Sequence, residues 1–260
     1  MKQLKHLLNI KLLTILYILF VIGINVFNYL YPPEFKIAPI DHIGILPFFD
    51  VVLYGPIIEE IIFRYWAFGK NIKLQFSILH CFIIYILLTI FQPSKFIIVP
   101  FIENNIYYRN YIIDSFIFIV GIIVYLIIKQ NKSMIPVFFT KFIKSKLTFA
   151  LIVFLFAAVH FVDKPIDIYY LYEYIEAIIV SYLITKNAQL FGLKYSILLH
   201  MLLNTLAFSS NAIFLHNAKN SLESKQQLIA YSSLSLIFLI MYVFNISKAK
   251  YYTTFTKKLS

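Results

Sequence analysis

Charge, glycine and cysteine are what this chain of 260 residues has least of. Only 13% of its residues are charged, six are glycine, and Cys81 is its one cysteine. A soluble domain of this length needs a far larger polar exterior, so the low charge excludes an ordinary water-soluble fold. The single cysteine excludes an intramolecular disulfide and any metal site built on cysteine. No His-Glu-x-x-His sequence is present, which removes the zincin class of peptidase. Internal repeats and low-complexity tracts are absent too, and no segment reads as a soluble domain.

What is there instead is apolar sequence, 61% of the residues, in repeated runs of about 20. A buried sheet accounts for one or two such runs, not for a succession of them. At 1.5 Å per residue, about 20 helical residues cross roughly 30 Å of hydrocarbon. The expected fold is therefore all-α, a polytopic transmembrane helical bundle of about eight spans: 12–31, 47–68, 75–93, 111–128, 147–163, 168–185, 189–209 and 227–246. The stretch 96–102 follows Gln92-Pro93-Ser94-Lys95, is too short to cross, and is expected to be interfacial or re-entrant. Residues 1–11 carry three lysines and no small-residue cleavage site follows, so the first run is expected to be a retained span.

The net charge of +11 raises the prospect of a nucleic-acid partner, but the basic residues come in small groups between apolar runs. No nucleic acid is expected. With both termini in the cytoplasm, sixteen Lys and Arg fall on cytoplasmic segments and six on external ones, among them Lys36, Lys95, Arg109 and Lys164. That bias follows the positive-inside rule and favours an even number of spans, with N-terminus and C-terminus both inside.

Ionisable groups within spans cost on the order of 2.5–3.5 kcal/mol each at a helix centre, so each calls for a reason. The second span contains Glu59, Glu60 and Arg64. Adjacent residues on a helix point about 100° apart, whereas residues four apart share a face, so Glu60 and Arg64 can pair. Glu59 is then aimed elsewhere, as a carboxylate within the membrane able to act as a general base. The fifth span ends in Phe156-Ala157-Ala158-Val159-His160, and the seventh holds His200 and Asn204 on one face. A Glu–His pair can activate water, and a His–Asn pair can donate hydrogen bonds to a developing oxyanion. Glu173 and Glu176, in the sixth span, read as packing or water-facing groups, and Asp50 as interfacial. His80 completes a Phe-x-x-x-His pattern with Phe76, a short pattern that arises easily in a phenylalanine-rich chain.

These residues resemble the CAAX protease and bacteriocin-processing (CPBP, or Abi) family of glutamate-type intramembrane proteases. Its pattern of Glu-Glu-x-x-x-Arg, Phe-x-x-x-His and His-x-x-x-Asn is matched by Glu59-Glu60 with Arg64, by Phe156 with His160, and by His200 with Asn204. The resemblance covers 47–68 and 147–209 and implies an endopeptidase in which Glu59 activates water with help from His160. It implies an oxyanion hole made by His200 and Asn204, with Glu60, Arg64 and Phe156 in supporting positions. Here one hundred residues separate Glu60 from His160, far more than in the family, so 70–146 reads as an inserted pair of spans within a single membrane domain of 1–260. His80 lies too close to the glutamates to replace His160.

The sequence thus leads to a peptide-bond hydrolase acting on a membrane-embedded peptide or protein, with the lipid bilayer as its other partner. No cofactor and no metal are expected. The Ile, Lys, Asn, Phe and Tyr bias suggests an AT-rich genome, and with it a bacterial cytoplasmic membrane. Two alternatives keep the same scaffold: a non-catalytic bacteriocin-immunity or membrane scaffold protein, and a proton-coupled transporter.

Overall fold

The computed structural model describes residues 2–30, 48–91, 106–131, 135–161, 168–219 and 221–248, which are helical with no strand among them. The stretch expected at the interface, 96–102, lies outside the described residues. In chain order, α1 is Lys2–Leu30 and α2 covers 49–68, followed by α3 Ile72–Phe91 and α4 Ile106–Gln130. The short α5 is Val137–Phe142 and α6 is Lys146–Val159. Then come α7 Ile168–Phe191, α8 Leu193–Lys219 and α9 Leu222–Lys248.

Five of these helices contain segments long and apolar enough to cross a membrane: Asn9–Leu30, Ile72–Thr89, Ile112–Gln130, Leu193–Ile213 and Ser224–Lys248. Their outer faces carry large exposed apolar side chains, such as Phe20 on α1, Phe116 and Ile122 on α4, and Ile240 and Phe244 on α9. Surfaces of that kind fit hydrocarbon rather than water, as an integral membrane protein requires. The expected spans 47–68, 147–163 and 168–185 have no counterpart among the five, each for a physical reason. α2 is irregular, α6 is only 14 residues long, and α7 carries Glu173, Glu176 and Lys186 within its length.

The irregularity of α2 starts from Pro56. Proline lacks the N–H that would bond four residues back, and its ring crowds the carbonyl there. The preceding turns, Phe49–Tyr54, are π-helical, and the Gly55 N–H reaches five residues back to the Asp50 carbonyl. Gly55–Glu60 is α-helical, Ile61–Tyr65 is π-helical again, and Trp66–Phe68 closes the element. Each wide turn rotates the side chains beyond it relative to a regular helix.

The described residues form two compact units, one of 1–57 with 194–260 and the other of 58–193. In the first, Lys11 Nζ donates to the Ile246 carbonyl (2.6 Å) and Asn25 Nδ2 to the Leu206 carbonyl (3.0 Å), tying α1 to α9 and α8. The Ser209 and Ser235 hydroxyls meet at 2.9 Å, and Phe48 stacks on Tyr231. A largely apolar groove of about 400 Å³ lies among these three helices, with Asn25, Ser209, Ser232 and Ser235 among its polar lining.

The second unit is built on aromatic packing. Phe63 and Trp66 of α2, Phe82 of α3, Phe139 of α5 and Phe156 of α6 belong to one buried cluster. α3 and α4 run antiparallel, because Ser77 Oγ donates to the Gly121 carbonyl while Cys81 Sγ donates to that of Ile117. Their close approach depends on Gly121, where a Cβ would lie 2.5 Å from Cys81 Sγ. α6 is started by Ser145, whose side chain accepts from the Thr148 N–H, and it packs on α7. α7 stops at Gly192, whose φ of 100° suits glycine and whose N–H bonds the Ala188 carbonyl.

Candidate functional site

Adjacent positions on α2 give Glu59 and Glu60 different surroundings. Glu60 and Arg64 are fully buried and form an ion pair, Oε1 to Nη1 at 2.5 Å, across one turn. Arg64 is held from two other directions. Its Nε donates to Thr185 Oγ1 on α7 at 3.1 Å, and its guanidinium lies over the Phe156 ring, 4.5 Å from the centroid. This buried ion pair, with a hydroxyl and an aromatic face around the guanidinium, is an internal strut that ties α2 to α6 and α7.

Glu59 is partly open, with a quarter of its side chain exposed, and its Oε2 lies 4.0 Å from His160 Nε2. His160 caps α6, its own N–H closing the last turn on the Ala157 carbonyl. A carbonyl oxygen can only accept, so the 2.7 Å contact with the Phe156 carbonyl is a bond donated by His160 Nδ1–H. That bond aims Nε2 toward the carboxylate. The Phe156 ring sits 4.8 Å from the imidazole and 5.2 Å from Phe63. One buried ring therefore touches both the Glu60–Arg64 strut and the histidine that faces Glu59.

His200 and Asn204 belong to the other unit. His200 is buried, and Asn204 Nδ2, half-buried one turn later on α8, donates to the Val51 carbonyl at 2.7 Å. That bond uses one of the two amide hydrogens and leaves the second for another acceptor. The structure thus places Glu59, Glu60, Arg64, Phe156 and His160 in one unit, and His200 with Asn204 on one helix face of the other.

The remaining candidates are elsewhere. His80 donates through Nδ1 to the Phe76 carbonyl at 2.8 Å, within α3. Glu173 is half-buried and Glu176 exposed on α7, and Asp50 lies in the first π segment of α2. Among the described residues no three His, Cys, Asp or Glu side chains gather as a metal shell would need.

Sequence reasoning missed Thr185, which completes the hold on Arg64, and Tyr85, whose ring meets Phe63 edge-on at 5.5 Å. Neither residue type is unusual in an apolar helix, and only helix packing singles them out. No family model matches the chain, and neither a curated protein nor a solved structure matches it.

Proposed function

We propose that the chain is an intramembrane endopeptidase of the CAAX and bacteriocin-processing type, hydrolysing a membrane-associated peptide or protein with water activated by Glu59 and His160. The observation that carries this reading is the Glu59–His160 pair. With Nδ1–H committed to the Phe156 carbonyl, a neutral His160 presents a lone pair at Nε2, so the two facing atoms are both acceptors. Two acceptors at that separation can take the two hydrogens of one water between them. Glu59 would accept one proton as the water oxygen attacks the peptide carbonyl carbon. By the family resemblance, His200 and Asn204 would donate to the oxyanion of the tetrahedral intermediate. The C–N bond then breaks, and the proton held by Glu59 passes to the departing amine.

The proposed topology is the eight-span arrangement with both termini in the cytoplasm of a bacterium. It requires α2, α6 and α7 to cross as well as the five more apolar helices. At 1.5 Å per residue α6 covers about 21 Å, so it would end, with His160, inside the hydrocarbon rather than at its far edge. Tags at the two chain ends should report cytoplasmic, and a reporter within 212–224 external; an external C-terminus would overturn the even count.

The deciding experiment compares membrane peptidomes of a deletion strain complemented with the wild-type chain, with Glu59→Gln, or with neither. Peptides that accumulate without the chain should also accumulate with Glu59→Gln. Full complementation by Glu59→Gln would sink the peptidase reading and favour a scaffold or immunity role.

A further inference from the structure

At one end of the antiparallel pair α3 and α4, lysines gather without carboxylates. Lys73 Nζ, at the start of α3, donates to the Lys129 carbonyl at the end of α4 at 3.2 Å. α5 packs at the same end: the Phe139 ring lies 5.0 Å from that of Phe76 on α3, and the Phe142 ring stacks 6.2 Å from Trp66 of α2. No Asp or Glu occurs in 61–102 or in 115–162, so the segments that build this end carry only positive charge. The apolar segments Ile72–Thr89 and Ile112–Gln130 begin and end here, which fits a boundary between hydrocarbon and water.

α5 is held by one face and open on the other. Phe139 and Ile143 are buried, whereas Val137 is 77% exposed and Phe138 69%, with Leu147 exposed at the start of α6. Six residues rise about 9 Å, so α5 cannot cross the bilayer and can only lie at its surface. Lys141, Lys144 and Lys146 are exposed in the same stretch, and among the described residues no carboxylate pairs with them. A nucleic acid or a free phosphate would meet these lysines but leave Val137 and Phe138 in water. A leaflet of acidic lipid meets both, apolar side chains at the acyl boundary and ammonium groups at the headgroups.

We propose that α5 with Lys141, Lys144 and Lys146 is a docking surface for anionic phospholipid, Val137 and Phe138 entering the headgroup–acyl boundary and the three lysines engaging the phosphates. The segment 70–146 then carries a lipid-recognising surface as well as two spans, whatever reaction the chain performs.

The experiment measures binding of phosphatidylglycerol with a fluorescent acyl chain to the full-length protein in a nonionic detergent, beside phosphatidylcholine bearing the same chain. Phosphatidylglycerol should bind in preference, and the preference should shrink as salt rises. Lys141→Gln, Lys144→Gln and Lys146→Gln combined should weaken its binding about a hundredfold, at about fivefold per lysine. Phe138→Ser should weaken both lipids. Lys194→Gln, Lys225→Gln and Lys248→Gln combined, which remove the same charge from exposed positions elsewhere, should change nothing. Every substituted side chain is exposed, and melting temperatures verify that each variant folds. Equal binding of the two lipids, or equal loss in the two triple variants, would overturn the proposal. Displacement of the lipid by millimolar inorganic phosphate, with Phe138→Ser without effect, would overturn it too, in favour of a plain anion site facing water.

Discussion

Two Phe-x-x-x-His turns lie in the same unit with the same side chain-to-backbone hydrogen bond and different surroundings. In each, imidazole Nδ1 donates to the carbonyl four residues back, at 2.8 Å for His80 and 2.7 Å for His160. In each, the two ring centroids are 4.8 Å apart. His80 sits inside α3, and its partner Phe76 leans on Phe139 of α5, so that turn is absorbed in packing. His160 caps α6, its partner Phe156 carries the Arg64 guanidinium, and its Nε2 faces Glu59. The pattern orients an imidazole; under the proposed function, the helix end and the facing carboxylate are what give His160 its chemistry.

The largest test of that contrast acts on the facing pair. Glu59→Gln keeps the shape and removes the basic lone pair, and His160→Ala removes the second acceptor. Each should lower turnover of a membrane-peptide substrate by about 10²–10⁴-fold, the usual worth of general-base catalysis, with the protein still folded. If His160→Ala retains full turnover, the two turns are equivalent and the contrast collapses.

The next effect is on stability. Glu60→Gln leaves the Arg64 charge buried without its counterion, which costs about 3–5 kcal/mol when one partner of a buried pair is removed. Thermal unfolding in detergent should show the loss, and Glu60→Gln combined with Arg64→Gln should recover much of it. Glu59→Gln should have no such dependence on Arg64. A stable, inactive Glu60→Gln beside an active Glu59→Gln would mean that the two glutamates have exchanged roles.

Smaller still is Thr185→Val. It withdraws one acceptor from a charged donor at nearly constant volume, worth about 1.5–3 kcal/mol, while Glu60 and the Phe156 ring still hold Arg64. Thr185→Ser should restore the melting temperature. If Val and Ser variants melt alike, the hydroxyl is not what anchors the guanidinium.

Thr185 also marks the boundary of what can be read from sequence here. Apolar runs of membrane-crossing length foretold Asn9–Leu30, Ile72–Thr89, Ile112–Gln130, Leu193–Ile213 and Ser224–Lys248 to within a few residues, because length and hydropathy are local properties. The Glu60–Arg64 pair was legible for the same reason, a spacing of four within one helix. The π turns of α2 were not, although Pro56 is the residue that calls for the first of them. The early end of α6 at Val159 was hidden as well, since Phe161 and Val162 continue the apolar run. Thr185 and Tyr85 were invisible because their roles depend on which turn of one helix faces which turn of another. Within one chain, no residue spacing states that register; Ser77 against Gly121 and Cys81 against Ile117 fix it only once α3 and α4 are packed.

The smallest effect closes the contrast from its other side. His80→Ala removes a part-buried side chain-to-backbone bond and an edge-on ring contact with Phe76. Such a bond is worth about 0.5–1.5 kcal/mol net, because water replaces it when the chain unfolds. The Phe76 carbonyl keeps its place in the α3 ladder, so the helix itself loses little. The expected result is a lower melting temperature, smaller in shift than that of Glu60→Gln, with turnover unchanged. Turnover and melting temperature measured side by side on His80→Ala and His160→Ala then separate the turn from its setting. A common geometric role would give equal losses of turnover, whereas a role set by Glu59 confines the loss to His160. Loss of turnover in His80→Ala at unchanged stability would place a second imidazole at the reaction centre and undo the assignment of that turn to packing.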